Sequence, residues 1–301
     1  MNYTNQYPNP VTSKVPQVSI GLPVYNGAKF IQEALDSLLA QSFTNFELII
    51  SDNASTDESE AICQKYVARD LRIRYVRQTE NLGAIANFKF VLDEAVGEYF
   101  MWAAADDVWD KQWIEELLSI SVDRQCLAFG MLIAIDKNSK QIQHPANKRK
   151  FNFTGPKFFR RMYYFSEPSF LGKPNPIYGI YPKKYLTENC FNILTSENGA
   201  DMLFLYRVLF DIEIKGGAEV FLYKRIHDDC AGIGMQLEKK SLTLKIINFP
   251  LLLIISQCHE IFKYSKISSI TETIIHILLT PYLLMQNYYY MLVKNPRFNK
   301  L

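Results

Sequence analysis

The chain has 301 residues, a net charge of +2, 48% hydrophobic side chains and 21% charged ones. That size and apolar share fit one large α/β domain with an appendage and argue against long disorder, and the near-neutral charge gives no footing for nucleic-acid binding. Five scattered cysteines, Cys63, Cys126, Cys190, Cys230 and Cys258, form no close pair, which argues against a zinc site or a disulfide framework and fits a reducing cytosol.

Residues 1–16 are polar and rich in Pro and Asn, without an apolar h-region, and read as a flexible leader rather than a signal peptide. The sequons at Asn2, Asn53 and Asn152 are then chance matches. Val18, Ile20 and Leu22 alternate as in a strand, which Pro23 ends, and Asn26-Gly27 supplies a turn. Phe30, Ile31, Ala34, Leu35, Leu38 and Leu39 recur at helical spacing. A second strand covers 46–52. Ser55 to Glu58 carries a capping-box pattern for a helix that runs to about Arg69. A third strand covers 73–77, Asn81-Leu82-Gly83 is a turn, and a helix over 84–96 stops at Gly97.

The next stretch organises the rest. Tyr99, Phe100, Met101 and Trp102 read as a buried strand, continued by Ala103, Ala104 and Ala105, and it delivers Asp106 and Asp107 to the strand end. In an open α/β sheet that carboxyl edge is where ligands bind. Carboxylate oxygens suit Mg²⁺ or Mn²⁺, which share their shell with substrate phosphates. The plain alternative is a solvated turn before a helix that begins near Lys111. The order βαβαβαβ predicts a parallel sheet with right-handed crossovers. No Gly-x-Gly-x-x-Gly or P-loop follows any strand, so a nucleotide site here must use side chains and a metal.

Further on, a strand covers 128–136, a polar basic loop runs through Lys150, and 151–185 is rich in aromatics and prolines, with a short helix at 156–164 and a strand at 177–181. Asp201 precedes a helix over 202–210. A strand over 220–227 ends in Arg225, His227, Asp228 and Asp229.

Four motifs follow four strands in order: Pro23-Val24-Tyr25-Asn26, Ser51-Asp52-Asn53 with Asp57, Asn81-Leu82-Gly83 with Asn87, and Asp106-Asp107-Val108-Trp109. Together they resemble the family 2 glycosyltransferases, inverting enzymes of the GT-A fold, closely over 17–115 and more loosely to about 230. The resemblance implies a Rossmann-like, mostly parallel sheet flanked by helices. It implies that Pro23, Val24 and Tyr25 line the base and that Asp52 accepts a hydrogen bond from a pyrimidine N–H, which favours uridine. Asn26, Asn81, Gly83 and Asp107 complete the implied nucleotide set, with Asp107 either contacting the sugar or capping the next helix. Asp106 matches the last Asp of the family's Asp-x-Asp motif, which holds a divalent Mg or Mn ion on the diphosphate; Ala104 stands where the first Asp would be. Asp201 matches the general base, or is a helix N-terminal acid stabilised by the dipole. His227 matches a histidine at the metal or diphosphate, or is a strand-end surface histidine. Arg77 binds phosphate or is an edge charge.

The implied reaction moves a sugar from a nucleotide-diphosphate donor to a hydroxyl of a glycan or lipid-linked acceptor, in cell-surface polysaccharide synthesis. A divalent ion neutralises the leaving diphosphate and a carboxylate takes the acceptor proton. One displacement inverts the anomeric centre, so no enzyme nucleophile is required. The alternatives are an inactive sugar-nucleotide-binding or scaffold protein of the same fold, and a nucleotidyltransferase, which lacks its Gly-rich loop here.

The expected organisation is a leader at 1–16, a catalytic domain at 17–240 (nucleotide-sugar half 17–115, acceptor half 116–240) and a helical tail at 241–301. The tail holds six Lys/Arg against two Glu, +4, which leaves the first 240 residues at −2. Ile246–Cys258 is an uncharged run of 13 residues, too short to span a bilayer. Thr273–Val293 lacks Asp, Glu, Lys and Arg over 21 residues, and Tyr288, Tyr289 and Tyr290 lie near Lys294 and Arg297. These features predict helices lying on an anionic membrane surface, at the cytoplasmic face, rather than a spanning helix. Packing on the catalytic domain, or a dimer contact, is the alternative.

Overall fold

The computed structural model describes residues 15–168, 171–191 and 200–227, with the isolated positions 278, 282 and 285. Contacts divide the chain into two units. The first holds the chain up to Asn152, Pro176–Thr187 and Ile214–Arg225. Its elements are β1 (Val18–Val24), α1 (Ile31–Leu39), β2 (Phe46–Asp52), α2 (Ser59–Val67), β3 (Ile73–Arg77), α3 (Ala84–Asp93), β4 (Tyr99–Trp102), β5 (Val108–Trp109), α4 (Trp113–Arg124), β6 (Leu127–Ile135), β7 (Ile180–Pro182) and β8 (Ile214–Arg225).

The eight strands form one sheet in the order β3-β2-β1-β4-β7-β6-β8-β5. β3, β2, β1 and β4 are mutually parallel, as the alternating strand and helix pattern requires. β7 runs antiparallel between β4 and β6, β8 runs parallel to β6, and β5 pairs antiparallel with β8. The sheet is therefore mixed in its second half. The carboxyl ends of the four parallel strands, at Val24, Asp52, Arg77 and Trp102, lie along one edge.

β1 is buried on both faces, which is the environment of a central parallel strand. Gly21 is required there: a Cβ would stand 2.6 Å from Val91 Cγ2 on α3 and 2.8 Å from Phe100 Cζ on β4. α1 sets Ile31, Ala34, Leu35 and Leu38 against the sheet. Burying each of the isoleucine and leucine side chains contributes roughly 1.5–3 kcal/mol.

The structure corrects several local expectations. The capping box does not form. α2 starts at Ser59, and the Ser55 hydroxyl instead accepts the Asn26 N–H at 2.9 Å. The first-turn amide of Ser59 is taken by Asp57 Oδ1 at 3.0 Å. β4 stops at Trp102 rather than running through the alanines, and β8 begins at Ile214, earlier than its apolar run suggests. The stretch expected as a strand over 177–181 divides into a 3-10 turn, Asn175–Tyr178, and β7.

The second unit holds Phe153–Asn175, Glu188–Glu213 and the chain from Ile226. Its helices are α5 (Lys157–Ser166), α6 (Glu188–Phe191) and α7 (Ala200–Val208). Arg160 on α5 donates to the carbonyls of Leu209 and Phe210 just beyond α7, and Phe191 of α6 packs on Phe204 of α7. The leader lies outside the described residues, except for Val15 and Pro16. The tail does too, except for Leu278, Tyr282 and Met285, which are helical and exposed.

Candidate active site

The loops that leave β1 and β2 are laced together. Asn26 sits in the left-handed region at φ 50°, a conformation Asn tolerates, and its Oδ1 accepts the Thr56 N–H at 2.8 Å. Gly27 N–H donates to Ser59 Oγ at 2.8 Å and Ala28 N–H to Asp57 Oδ2 at 3.0 Å. Burial works to raise the Asp57 carboxyl pKa, but the Ser59 hydroxyl and the Ala28 and Ser59 amides outweigh it and hold the group below the usual carboxylate range. Of the base-lining candidates, Val24 is buried, Pro23 is partly exposed, and the Tyr25 side chain stands in solvent, 51% exposed.

Asp52 is enclosed. It is 0% exposed. Its Oδ1 accepts the Ser55 N–H at 2.8 Å, and Oδ2 accepts the Tyr75 hydroxyl at 2.7 Å and Arg77 Nη1 at 2.9 Å. Burial and the Asp52 carboxylate push the Tyr75 phenol upward, so it remains a donor. Both carboxylate oxygens are thus engaged within the protein. The carboxylate shapes the loop after β2, and Arg77, also bonded to the Ser55 carbonyl at 2.9 Å, is its counter-ion rather than a plain edge charge.

The neighbouring Asn53, which the sequence reading passed over as a ligand, does the joining. Its Oδ1 accepts the Leu82 N–H at 2.9 Å, and its Nδ2 donates to Asn81 Oδ1 at 2.7 Å and to the Gly83 carbonyl at 3.3 Å. Gly83, at φ 83°, is the residue before α3 and needs glycine's freedom. Asn87 on α3 fixes the same region by donating to the Ser51 carbonyl at 3.0 Å and accepting the Ser51 hydroxyl at 2.6 Å. Asn81 and Gly83 are thus drawn to the β2 end.

The turn after β4 separates the two adjacent carboxylates. Asp106 is partly exposed. Asp107 is 0% exposed, with Lys224 Nζ at 2.9 Å from Oδ2 and the Arg225 N–H at 2.9 Å from Oδ1. Burial pushes the Asp107 carboxyl up to about 6 against the pull of Lys224. Burial likewise disfavours the Lys224 charge, but Asp107 outweighs it and holds the ammonium well above its usual range. Asp107 does not cap α4, whose N-cap is Gln112, and it anchors the end of β8. The loops after β1 and β4 adjoin, since a Cβ on Gly27 would lie 3.3 Å from Ala105 Cβ. Arg225, Lys224 and Glu33 form the support beneath this turn. Their only trace in the sequence is a charged pair closing an apolar strand and an acid in the first turn of a helix.

Asp201 and His227 belong to the second unit. Asp201 lies in the first turn of α7, where its Oδ1 accepts the Met202 N–H at 2.8 Å. His227 follows β8 by two residues and is partly exposed.

A Mg²⁺ or Mn²⁺ that keeps waters and phosphate oxygens needs only one or two protein carboxylates. Asp106 fits that limited demand. Ala104 offers no donor, Asp107 is committed elsewhere, and among the described residues no group of three or more His, Cys, Asp or Glu forms a fuller cage.

This mixed sheet carries the partly exposed Asp106 carboxylate in the turn after β4. The family model for glycosyl transferase family 2 matches residues 19–180, more than half of the chain, and the chain belongs to that family. It is 36% identical over 116 residues to the putative teichuronic acid biosynthesis glycosyltransferase TuaG of Bacillus subtilis, covering 38% of this chain and 46% of TuaG. It is 35% identical over 134 residues to an uncharacterized glycosyltransferase of Rickettsia bellii, covering 43% of this chain and 19% of that protein. The chain spans less than half the length of these curated relatives. Its fold is similar to that of S. aureus TarS 1–349 in complex with UDP-GlcNAc, at TM-score 0.62 and 19% identity, covering 94% of this chain and 75% of that one. It is also similar to the complex of the same protein with UDP, at TM-score 0.59 and 17% identity, covering 94% and 75%.

Proposed function

We propose that this glycosyltransferase moves a sugar from a UDP-sugar to a hydroxyl of a glycan or lipid-linked acceptor, with inversion, in cell-surface polysaccharide synthesis. The observation that carries the donor half is the partly exposed Asp106 carboxylate, at the carboxyl end of a parallel strand and next to the loop that bears Tyr25. The uridine preference rests on the UDP and UDP-GlcNAc complexes of the similar fold. The polysaccharide setting rests on the teichuronic acid name of one relative.

In this reading Pro23, Val24, Tyr25 and Asn26 flank the nucleotide, and the Asn53 clamp presents Asn81 and Gly83 beside it. Asp106 would hold the divalent ion, which when bound would offset the charge growing on the leaving diphosphate; His227 is a separate candidate for the metal or the diphosphate. Asp201 takes the proton of the acceptor hydroxyl. The catalytic part is 17–240, after a leader at 1–16 and before a tail at 241–301. The tail rests on the cytoplasmic face of an anionic membrane. In its support, the large apolar side chains of Leu278, Tyr282 and Met285 are exposed, and these three positions are helical. No helix among the described residues is long and apolar enough to cross a membrane.

The paired variants Asp106→Asn and Asp201→Asn test the assignment. Asp106→Asn is expected to lose metal-stimulated donor binding. Asp201→Asn is expected to keep donor binding and lose transfer by about 10²-fold or more, the scale of general-base catalysis. Equal losses of binding and turnover in Asp201→Asn would make it a helix-terminal structural acid instead.

A further inference from the structure

The turn that carries Asp106 is held by an arginine whose every donor nitrogen is engaged. Arg225 is 0% exposed. Its Nε donates to the Asp106 carbonyl at 2.8 Å, Nη1 to the Asp136 carbonyl at 3.2 Å and Ser139 Oγ at 3.0 Å, and Nη2 to Glu33 Oε2 at 2.6 Å. The guanidinium also lies over the Phe30 ring, 4.5 Å from its centroid. Ser139 Oγ donates to the same Glu33 Oε2 at 2.9 Å. Phe30 directly precedes α1 and Glu33 lies in its first turn, so both sit at the exit of the loop after β1.

We propose that Arg225 is a positioning residue for Asp106, and that its ion pair with Glu33 is a latch holding the loops after β1 and β4 in one arrangement for the diphosphate end of the donor. The inference rests on the reading of Asp106 as the cation ligand. A fork is needed, because one planar group must reach a main-chain carbonyl, a carboxylate and a turn in three directions while stacking on a ring; a lysine is a single point of charge and meets at most part of that demand. The effect on the ligand is direct, since Arg225 grips the peptide of Asp106 itself. Supports of this kind set how well a carboxylate presents its oxygens, and losing one typically costs 10–100-fold in metal affinity. Glu33 is half-exposed, with 53% of its side chain in solvent, so its charge can be removed without opening the core.

The test is calorimetric titration of the full chain with UDP, in excess EDTA and in saturating Mn²⁺, for wild type, Arg225→Lys and Glu33→Ala. The expected result is unchanged UDP affinity in EDTA and an about tenfold smaller Mn²⁺-dependent gain in both variants. A merely structural defect would lower both affinities together, and that outcome, like an undiminished gain in the variants, overturns the inference. If Arg225→Lys does not fold, Glu33→Ala decides alone. Wild type that binds UDP without any Mn²⁺ gain removes the latch together with the metal role of Asp106. Wild type that binds no UDP removes the donor reading beneath both.

Discussion

Asp52 accepts hydrogen bonds from Ser55, Tyr75 and Arg77 inside the protein, so its charge is committed to the shape of the loop after β2. Asp52→Asn is expected to lose about 1–3 kcal/mol of stability, the cost of leaving buried partners imperfectly matched, while its preference for UDP over CDP stays as in wild type. Denaturant unfolding and nucleotide competition read the two effects separately. A changed base preference at unchanged stability would instead make Asp52 a contact of the base. Strand-end carboxylates look alike in a sequence whether they meet a ligand or an internal cation. What separates Asp106 from Asp107 is Lys224, 117 residues away, and no local pattern announces that pairing.

A second residue-scale prediction concerns Lys173 in the second unit, which is buried with its Nζ 3.3 Å from the Phe165 carbonyl. Burial lowers its pKa to about 8, against the opposing pull of Glu167 and Asp201. A lysine depressed in the fold contributes stability above its unfolded value, about 10.4, and that stability is lost as pH falls through about 8. Measured against Lys173→Met, the wild type should therefore gain in unfolding free energy between pH 7 and pH 10. A difference that is flat or opposite in sign across that range would show that Lys173 is not depressed.

At the scale of elements, the parallel half of the sheet was legible because its strands carry apolar runs or alternation and α1 has a buried apolar stripe. β5 was not, because two residues carry no period; Val108 and Trp109 form a strand only by pairing with Tyr223 and Leu222. β7 is three residues long and is likewise defined by its neighbours, β4 and β6. The packing of α3 on β1 gives the sharpest test of the parallel half. Gly21→Ala places a methyl group inside contact distance of Val91 and Phe100 and is expected to cost about 1–3 kcal/mol by overpacking. Adding Val91→Ala should recover part of that loss. Thermal or denaturant unfolding of the single and double variants checks it, and a neutral Gly21→Ala would mean that α3 and β1 are not packed as described.

For the whole molecule, fold and family were readable from four short motifs placed at four strand ends, and the family match over residues 19–180 agrees with them. The divalent ion was suggested by the Asp106–Asp107 pair itself, whereas the base and the acceptor were implied only through that resemblance. The acceptor is the least legible part, because residues 140–200, where acceptor selection was expected, carry no spacing tied to a chemistry. The central claim is that this chain is a sugar transferase that draws on a uridine-diphosphate donor. The most direct measurement incubates the purified full chain with a panel of UDP-, dTDP-, GDP- and CDP-sugars and Mn²⁺ and follows release of the nucleoside diphosphate. The account predicts release from one or more UDP-sugars, abolished in Asp106→Asn. Release from none of the UDP-sugars, or equal release by Asp106→Asn, would contradict it.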